Sequence, residues 1–282
     1  MADIHTAIEN DDINRVQEIL TTDPSQLHAI FADITPHQPI HVAAWQDYPE
    51  ILDLLLEYGA DITARGDFGW TPLHYAAFYG APATADLLIQ HGAPLDILDD
   101  DGFSPLFRAS RGRDSTCNDV AALLRAQGAV VDLNGAICLG DFAWAHTYLA
   151  THSDGVYTAR FPGDLMYDAV VAIGTHIVHE CEPPPFRTQQ EVHQIIDRDL
   201  ATLQLLIDHG TDVNDTGLTS SPALFYAVKM ELPTVTEWLL ERGANINYRS
   251  PSGTMIGQMT RDTDRHALLR RHGYDGPVWN TG

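Results

Sequence analysis

Thr71-Pro72-Leu73-His74-Tyr75-Ala76-Ala77, followed by Leu87-Leu88-Ile89-Gln90-His91-Gly92-Ala93-Pro94, is the stretch from which the rest of the 282-residue chain is read. Pro72 suits the first turn of a helix, where its missing N–H is no loss, and Gly92 suits the left-handed residue just past one. The paired alanines between them let a second helix approach closely. Working outward, the first motif recurs as Gln38-Pro39-Ile40-His41 before Val42-Ala43-Ala44, and as Ser104-Pro105-Leu106-Phe107 before Arg108-Ala109-Ser110. The second recurs as Leu54-Leu55-Leu56-Glu57-Tyr58-Gly59-Ala60-Asp61, as Leu205-Leu206-Ile207-Asp208-His209-Gly210-Thr211-Asp212 and as Trp238-Leu239-Leu240-Glu241-Arg242-Gly243-Ala244-Asn245. The glycines at 59, 92, 128, 210 and 243 lie 33, 36, 82 and 33 residues apart, so the third interval holds two units and an insertion.

T-P-L-H-x-A followed by L-L-x-x-G-A-D at a period near 33 resembles the ankyrin repeat family. The resemblance implies an all-α solenoid of about eight helix-turn-helix units forming one domain over 1–282, at approximately 3–32, 33–65, 66–98, 99–133, 134–162, 163–215, 216–249 and 250–277. The end units keep mainly a helix pattern, as solvated caps do: Ile4, Ala7, Ile8, Ile13, Val16, Ile19 and Leu20 in the first, Ala267, Leu268 and Leu269 in the last. It also implies that His41 and His74 hydrogen-bond backbone between neighbouring repeats. His91, His209 and His272 each precede a helix-ending glycine, where a cation is favoured by the helix dipole.

The sixth unit is longer than the others. Leu165, Ala169, Ile173 and Ile177 fall at helical spacing, so its first helix is expected to run to about Cys181, where Pro183-Pro184-Pro185 stops it. Val192, Ile196, Leu200, Leu203 and Ile207 then stripe a second helix from Thr188 to His209, roughly 30 Å long. The expectation is an extended helical hairpin, with an insertion at about 175–198.

Lys plus Arg is 16 against 39 for Asp plus Glu, a net charge of −23, and Lys229 is the single lysine. Such a chain does not suit nucleic acid or an anionic membrane, which need clustered cations. No stretch approaches the roughly 18 apolar residues of a membrane span. Cys117, Cys138 and Cys181 are widely spaced and odd in number, which points to a reducing, cytoplasmic setting without a disulfide framework. No cofactor is implied.

Function is expected to be binding without turnover. The resemblance places the concave face at the loop tips before each first helix and at the residues after its alanine pair. Those positions hold His37, Trp45 and Gln46, then Asp67, Phe68, Trp70, Phe78 and Tyr79, then Asp100, Asp101, Phe103 and Arg111. Aromatic residues on a rigid surface are the types enriched at interface hot spots, so a protein partner is expected, and the acidic run beside them favours a basic one. Three other ideas compete. His176, His179 and His193 fall at similar levels across the hairpin and are candidate metal ligands, although their spacing matches no established zinc signature. The same histidines with Tyr167 and Asp168 would make a small-molecule or catalytic site at the hairpin base. Net charge alone suggests a mimic that occupies a basic nucleic-acid-binding surface. G-x-S-x-G, G-x-x-x-x-G-K and H-E-x-x-H are all missing from the chain.

Overall fold

Six of the described α-helices open on a proline at their first or second position, five of them between residues 39 and 110. The structure is a computed structural model that describes residues 4–30, 37–112, 116–152, 165–181, 189–217, 220–260 and 263–277, without the side chains of 175–195, 198 and 263. The chain divides into two compact units, 1–131 and 132–282. The first contains α1 (Ile4–Glu9), α2 (Ile13–Thr22), α3 (Pro39–Trp45), α4 (Pro49–Glu57), α5 (Pro72–Tyr79), α6 (Pro82–Gln90), α7 (Pro105–Ser110) and α8 (Thr116–Ala126). The second contains α9 (Leu133–Cys138), α10 (Phe142–Thr151), α11 (Leu165–Cys181), α12 (Gln189–Asp208), α13 (Ala223–Lys229), α14 (Pro233–Glu241) and α15 (Thr263–Arg271). The described residues are thus all-α, apart from one isolated bridge between Arg249 and Met255.

In the first unit the helices form two layers. α1, α3, α5 and α7 pack in series, each with its partner α2, α4, α6 or α8 behind it. The first-layer helices are short and buried nearly all round, because Ala43, Ala44, Ala76 and Ala77 leave room for the neighbouring helix. The second layer is amphipathic and buries one stripe: Ile51, Leu52 and Leu55 in α4, Thr84, Ala85 and Leu88 in α6. Gly92, at φ +82°, takes the left-handed turn that ends α6, and a side chain there would meet nothing within 4 Å, so backbone conformation alone selects glycine.

Histidine joins adjacent repeats. His41 Nδ1 accepts the Gln38 N–H at 2.9 Å, which fixes the proton on Nε2, and Nε2 donates to the Ala64 carbonyl 2.9 Å away. His74 does the same one repeat later, accepting from the Thr71 N–H at 3.2 Å and donating to the Phe103 carbonyl at 3.0 Å. At the next repeat Phe107 occupies the histidine's place and stacks on Phe103 of its own repeat with centroids 4.1 Å apart, so the imidazole bridge is not carried past it. Asp47 adds a second tie: its carboxylate accepts from the Thr84 N–H at 2.8 Å, and the Thr84 hydroxyl donates to the Ala44 carbonyl at 2.9 Å.

The second unit repeats the plan with a longer pair. α9, α11 and α13 make one layer, while α12 packs on α10 and on α11. The extended hairpin is present: α11 ends at Cys181 and α12 spans Gln189–Asp208, one residue inside the expected range at each end. Leu165, Met166, Ala169, Val170 and Ile173 are buried in its base with Leu203 and Leu206. The triproline tip lies outside the described residues. At the end of the unit Tyr274 is buried against Gly257, where an added Cβ would stand 2.3 Å from its ring. Gly257→Ala is therefore expected to cost about 2 kcal/mol in a urea titration, the range of overpacking in a core.

Burial pushes both bridging histidines down to about 4 by stripping water from the charged form, so each stays neutral at pH 7 and keeps Nδ1 as an acceptor. Between that value and their ordinary 6.5 the unfolded chain binds more protons than the folded one, so stability is complete above pH 6.5 and is lost as pH falls toward 4. The expected loss by pH 5 is on the order of 2 kcal/mol per histidine, read as a lower urea midpoint than at pH 7. His74→Gln, with no proton to gain, is expected to lose less over the same interval.

Candidate partner-binding surface

The C-terminal ends of α3 and α5 bring three rings together. Trp45 closes α3, while Phe78 and Tyr79 close α5, and all three remain half-buried after folding. Trp45 and Tyr79 stand 6.2 Å apart at 38°, and Phe78 meets Tyr79 edge-on at 5.3 Å. His37, just before α3, lies edge-on to Trp45 at 4.9 Å. Beneath them Tyr75 is buried, with its hydroxyl 2.7 Å from His37 Nε2 and its ring 5.6 Å from Trp45. Burial holds His37 below its ordinary value and raises Tyr75 well above the usual phenol range, so both are neutral at pH 7. Aromatic bodies with neutral polar tips suit contact with another surface more than proton transfer.

Beside the rings stand two loop tips. In the first, the Gly66 N–H donates to the Trp70 carbonyl at 2.8 Å and the Trp70 N–H to the Asp67 carbonyl at 3.1 Å. Arg65 straps it to the second tip, donating to the Gly69 carbonyl at 3.1 Å and the Leu98 carbonyl at 3.0 Å while its guanidinium stands 3.6 Å from Asp100. The Asp100 N–H in turn donates to the Phe68 carbonyl at 2.9 Å. Arg108 locks the base: it pairs with Asp99 at 2.6 Å and Asp101 at 2.9 Å, and lies 4.7 Å over Trp70 and 4.5 Å over Phe103. Three carboxylates meet two guanidiniums here and Asp67 adds a fourth negative charge, so the tips stay negative.

Residues 40–134 match a family model described as ankyrin repeats, in three copies. This segment is an array of ankyrin repeats. No curated protein matches the chain significantly. The three copies cover the surface just described apart from His37, and ankyrin repeats generally mediate protein–protein interaction. Among the described residues no helix is long and apolar enough to cross a membrane.

The ankyrin array leaves most of the expected contact residues at least partly exposed and withdraws two. Trp70 and Phe103 are only 8% and 6% exposed, sandwiching the Arg108 guanidinium, so they hold the loops and do not offer a free ring. Arg111 is half-buried with its guanidinium 5.4 Å over Phe107. Gln46, Phe68, Asp100 and Asp101 are exposed, and His37, Trp45, Asp67, Phe78 and Tyr79 are partly so. Tyr75 and Arg65 were not anticipated. Tyr75 directly follows His74 in the repeat motif, a position that looks like ordinary core, and Arg65 is a lone cation whose role rests on carbonyls 4 and 33 residues away.

In the second unit Tyr167 meets Tyr226 edge-on at 4.5 Å, and Asp168 and Asp199 are buried in the hairpin helices. His176 and His179 lie on α11 and His193 on α12, but their side chains fall outside the described residues, as does any metal site built on them. Among the described residues no group of three metal-binding side chains converges.

Removing the Arg108 guanidinium would leave the fully buried carboxylate of Asp99 without its cation. Arg108→Ala is expected to lower the unfolding free energy by about 3 kcal/mol, and Arg108→Lys to recover only part, since an ammonium cannot pair with two carboxylates and cover two rings at once. Chemical denaturation of the two variants beside the parent checks both.

Proposed function

We propose that the chain is a non-catalytic protein-binding scaffold whose contact surface is the aromatic and acidic face of the first unit. The observation that carries this is the partly exposed ring cluster of Trp45, Phe78 and Tyr79, set at the ends of adjacent repeat helices and supported from below by the His37–Tyr75 contact. Large rings held on a pre-formed surface bury area on binding with little loss of rotamer freedom, which is how hot spots work. His37, Gln46 and Arg111 would rim the cluster, and Asp67, Asp100 and Asp101 would favour a basic partner. Cys117, a buried thiol in no disulfide, suits a reducing cytoplasmic setting.

The supporting experiment is a double substitution. Trp45→Ala with Tyr79→Ala is expected to leave the far-ultraviolet circular dichroism unchanged while weakening a partner captured from the native host by about 2 kcal/mol or more per truncated ring. Partner binding that survives both changes would contradict the proposal.

A further inference from the structure

Phe68 stands at the tip of the 66–70 loop, 63% exposed, at φ +57°. That left-handed backbone is easily adopted by glycine, asparagine or aspartate and is a true outlier for a bulky residue. The other described non-glycine residues with positive φ are Asp11, Asp47, Ser220 and Glu231, all polar, so Phe68 is the one apolar residue placed there. Water gains nothing from a ring in that position, and an asparagine would suit the turn better. The loop beneath is nonetheless built closely around it: an added Cβ on Gly69 would sit 2.2 Å from the Asp100 carboxylate, and the Phe68 carbonyl is held by the Asp100 N–H at 2.9 Å. The Asp100 side chain, next to that contact, is 70% exposed.

A strained, closely held and solvent-facing aromatic, next to Asp67 in the chain and joined through its carbonyl to Asp100, is the shape of an anchor. We propose that Phe68 is that anchor: it inserts into an apolar pocket rimmed by lysine or arginine on the protein partner, with Asp67 and Asp100 meeting the rim. The proposal rests on the scaffold function above and names the chemistry of its partner. The excess of carboxylates over guanidiniums at the two tips selects a basic rim, and a pre-formed loop lets the ring dock without first being ordered.

Two measurements decide it. Phe68→Asn keeps the backbone conformation and removes the ring, so the melting temperature is expected to stay the same or rise. A fall of more than about 4 °C would show that the ring's contact with Trp70, at 6.4 Å, holds the loop, and would overturn the assignment. In the second, the full chain with the photo-crosslinking residue p-benzoylphenylalanine at position 68 is irradiated in an extract of its native host. The expected product is an adduct with a different protein, which once purified binds Phe68→Asn at least about 30-fold more weakly than the parent and weakens steeply with added salt. No adduct, an adduct with a second copy of this chain, or unchanged affinity for Phe68→Asn overturns it. The Trp45→Ala, Tyr79→Ala protein separates the two proposals: loss with that pair alone leaves the ring cluster and removes the anchor, and loss with Phe68→Asn alone does the reverse.

Discussion

A helix pair of seven to nine residues each cannot bury its own apolar face, so each repeat in this chain is stable only against its neighbours. The neutral histidines at the start of α3 and α5 turn that dependence into a fixed geometry. One ring nitrogen caps its own helix and the other reaches the backbone entering the next repeat, so the spacing of repeats is set by hydrogen bonds of 2.9 to 3.2 Å as well as by packing. A cationic imidazole could not serve, because it has no acceptor to offer the cap. Folding and register are therefore tied to one protonation state.

The contact face follows from this arrangement. Residues beyond the alanine pair stay partly exposed even where their rings meet across repeats, and here those positions hold Trp45, Phe78 and Tyr79. The loop tips are set by the same stacking, since Arg65 and Arg108 can bridge successive loops only when the repeats keep their spacing. Rigidity that stabilises the stack thus also prepares the surface. Much of the acidity has a structural origin too: Asp61 and Asp212 each accept a backbone N–H two residues on, and Asp96 accepts from Val130. The net charge of −23 accordingly says less about partners than the few carboxylates exposed beside Phe68 do.

The fold was legible because its signals are local. Pro72, the alanine pair and Gly92 each act within one helical turn, and the apolar stripe of α11 and α12 set the ends of the long hairpin to within a residue. The face was legible only by position. Trp70 and Phe103 carry the same signal in sequence as Trp45 and Tyr79, and what separates them is Arg108, which reaches two rings and two carboxylates that no spacing rule connects. Phe68 was visible as an aromatic at a loop tip, but neither its left-handed backbone nor the hydrogen bond its carbonyl accepts from Asp100, 32 residues later, shows in the sequence. Side-chain sandwiches and loop-to-loop straps are tertiary facts, and helical periodicity carries no trace of them.

The most direct test of this account is hydrogen–deuterium exchange of the full chain, read by mass spectrometry with and without its captured partner. Binding on the first unit predicts added protection in peptides covering residues 37–46, 66–79 and 99–103, with exchange in the hairpin helices Leu165–Cys181 and Gln189–Asp208 unchanged. Protection confined to the hairpin, with none on the ring cluster or the loop tips, would contradict it.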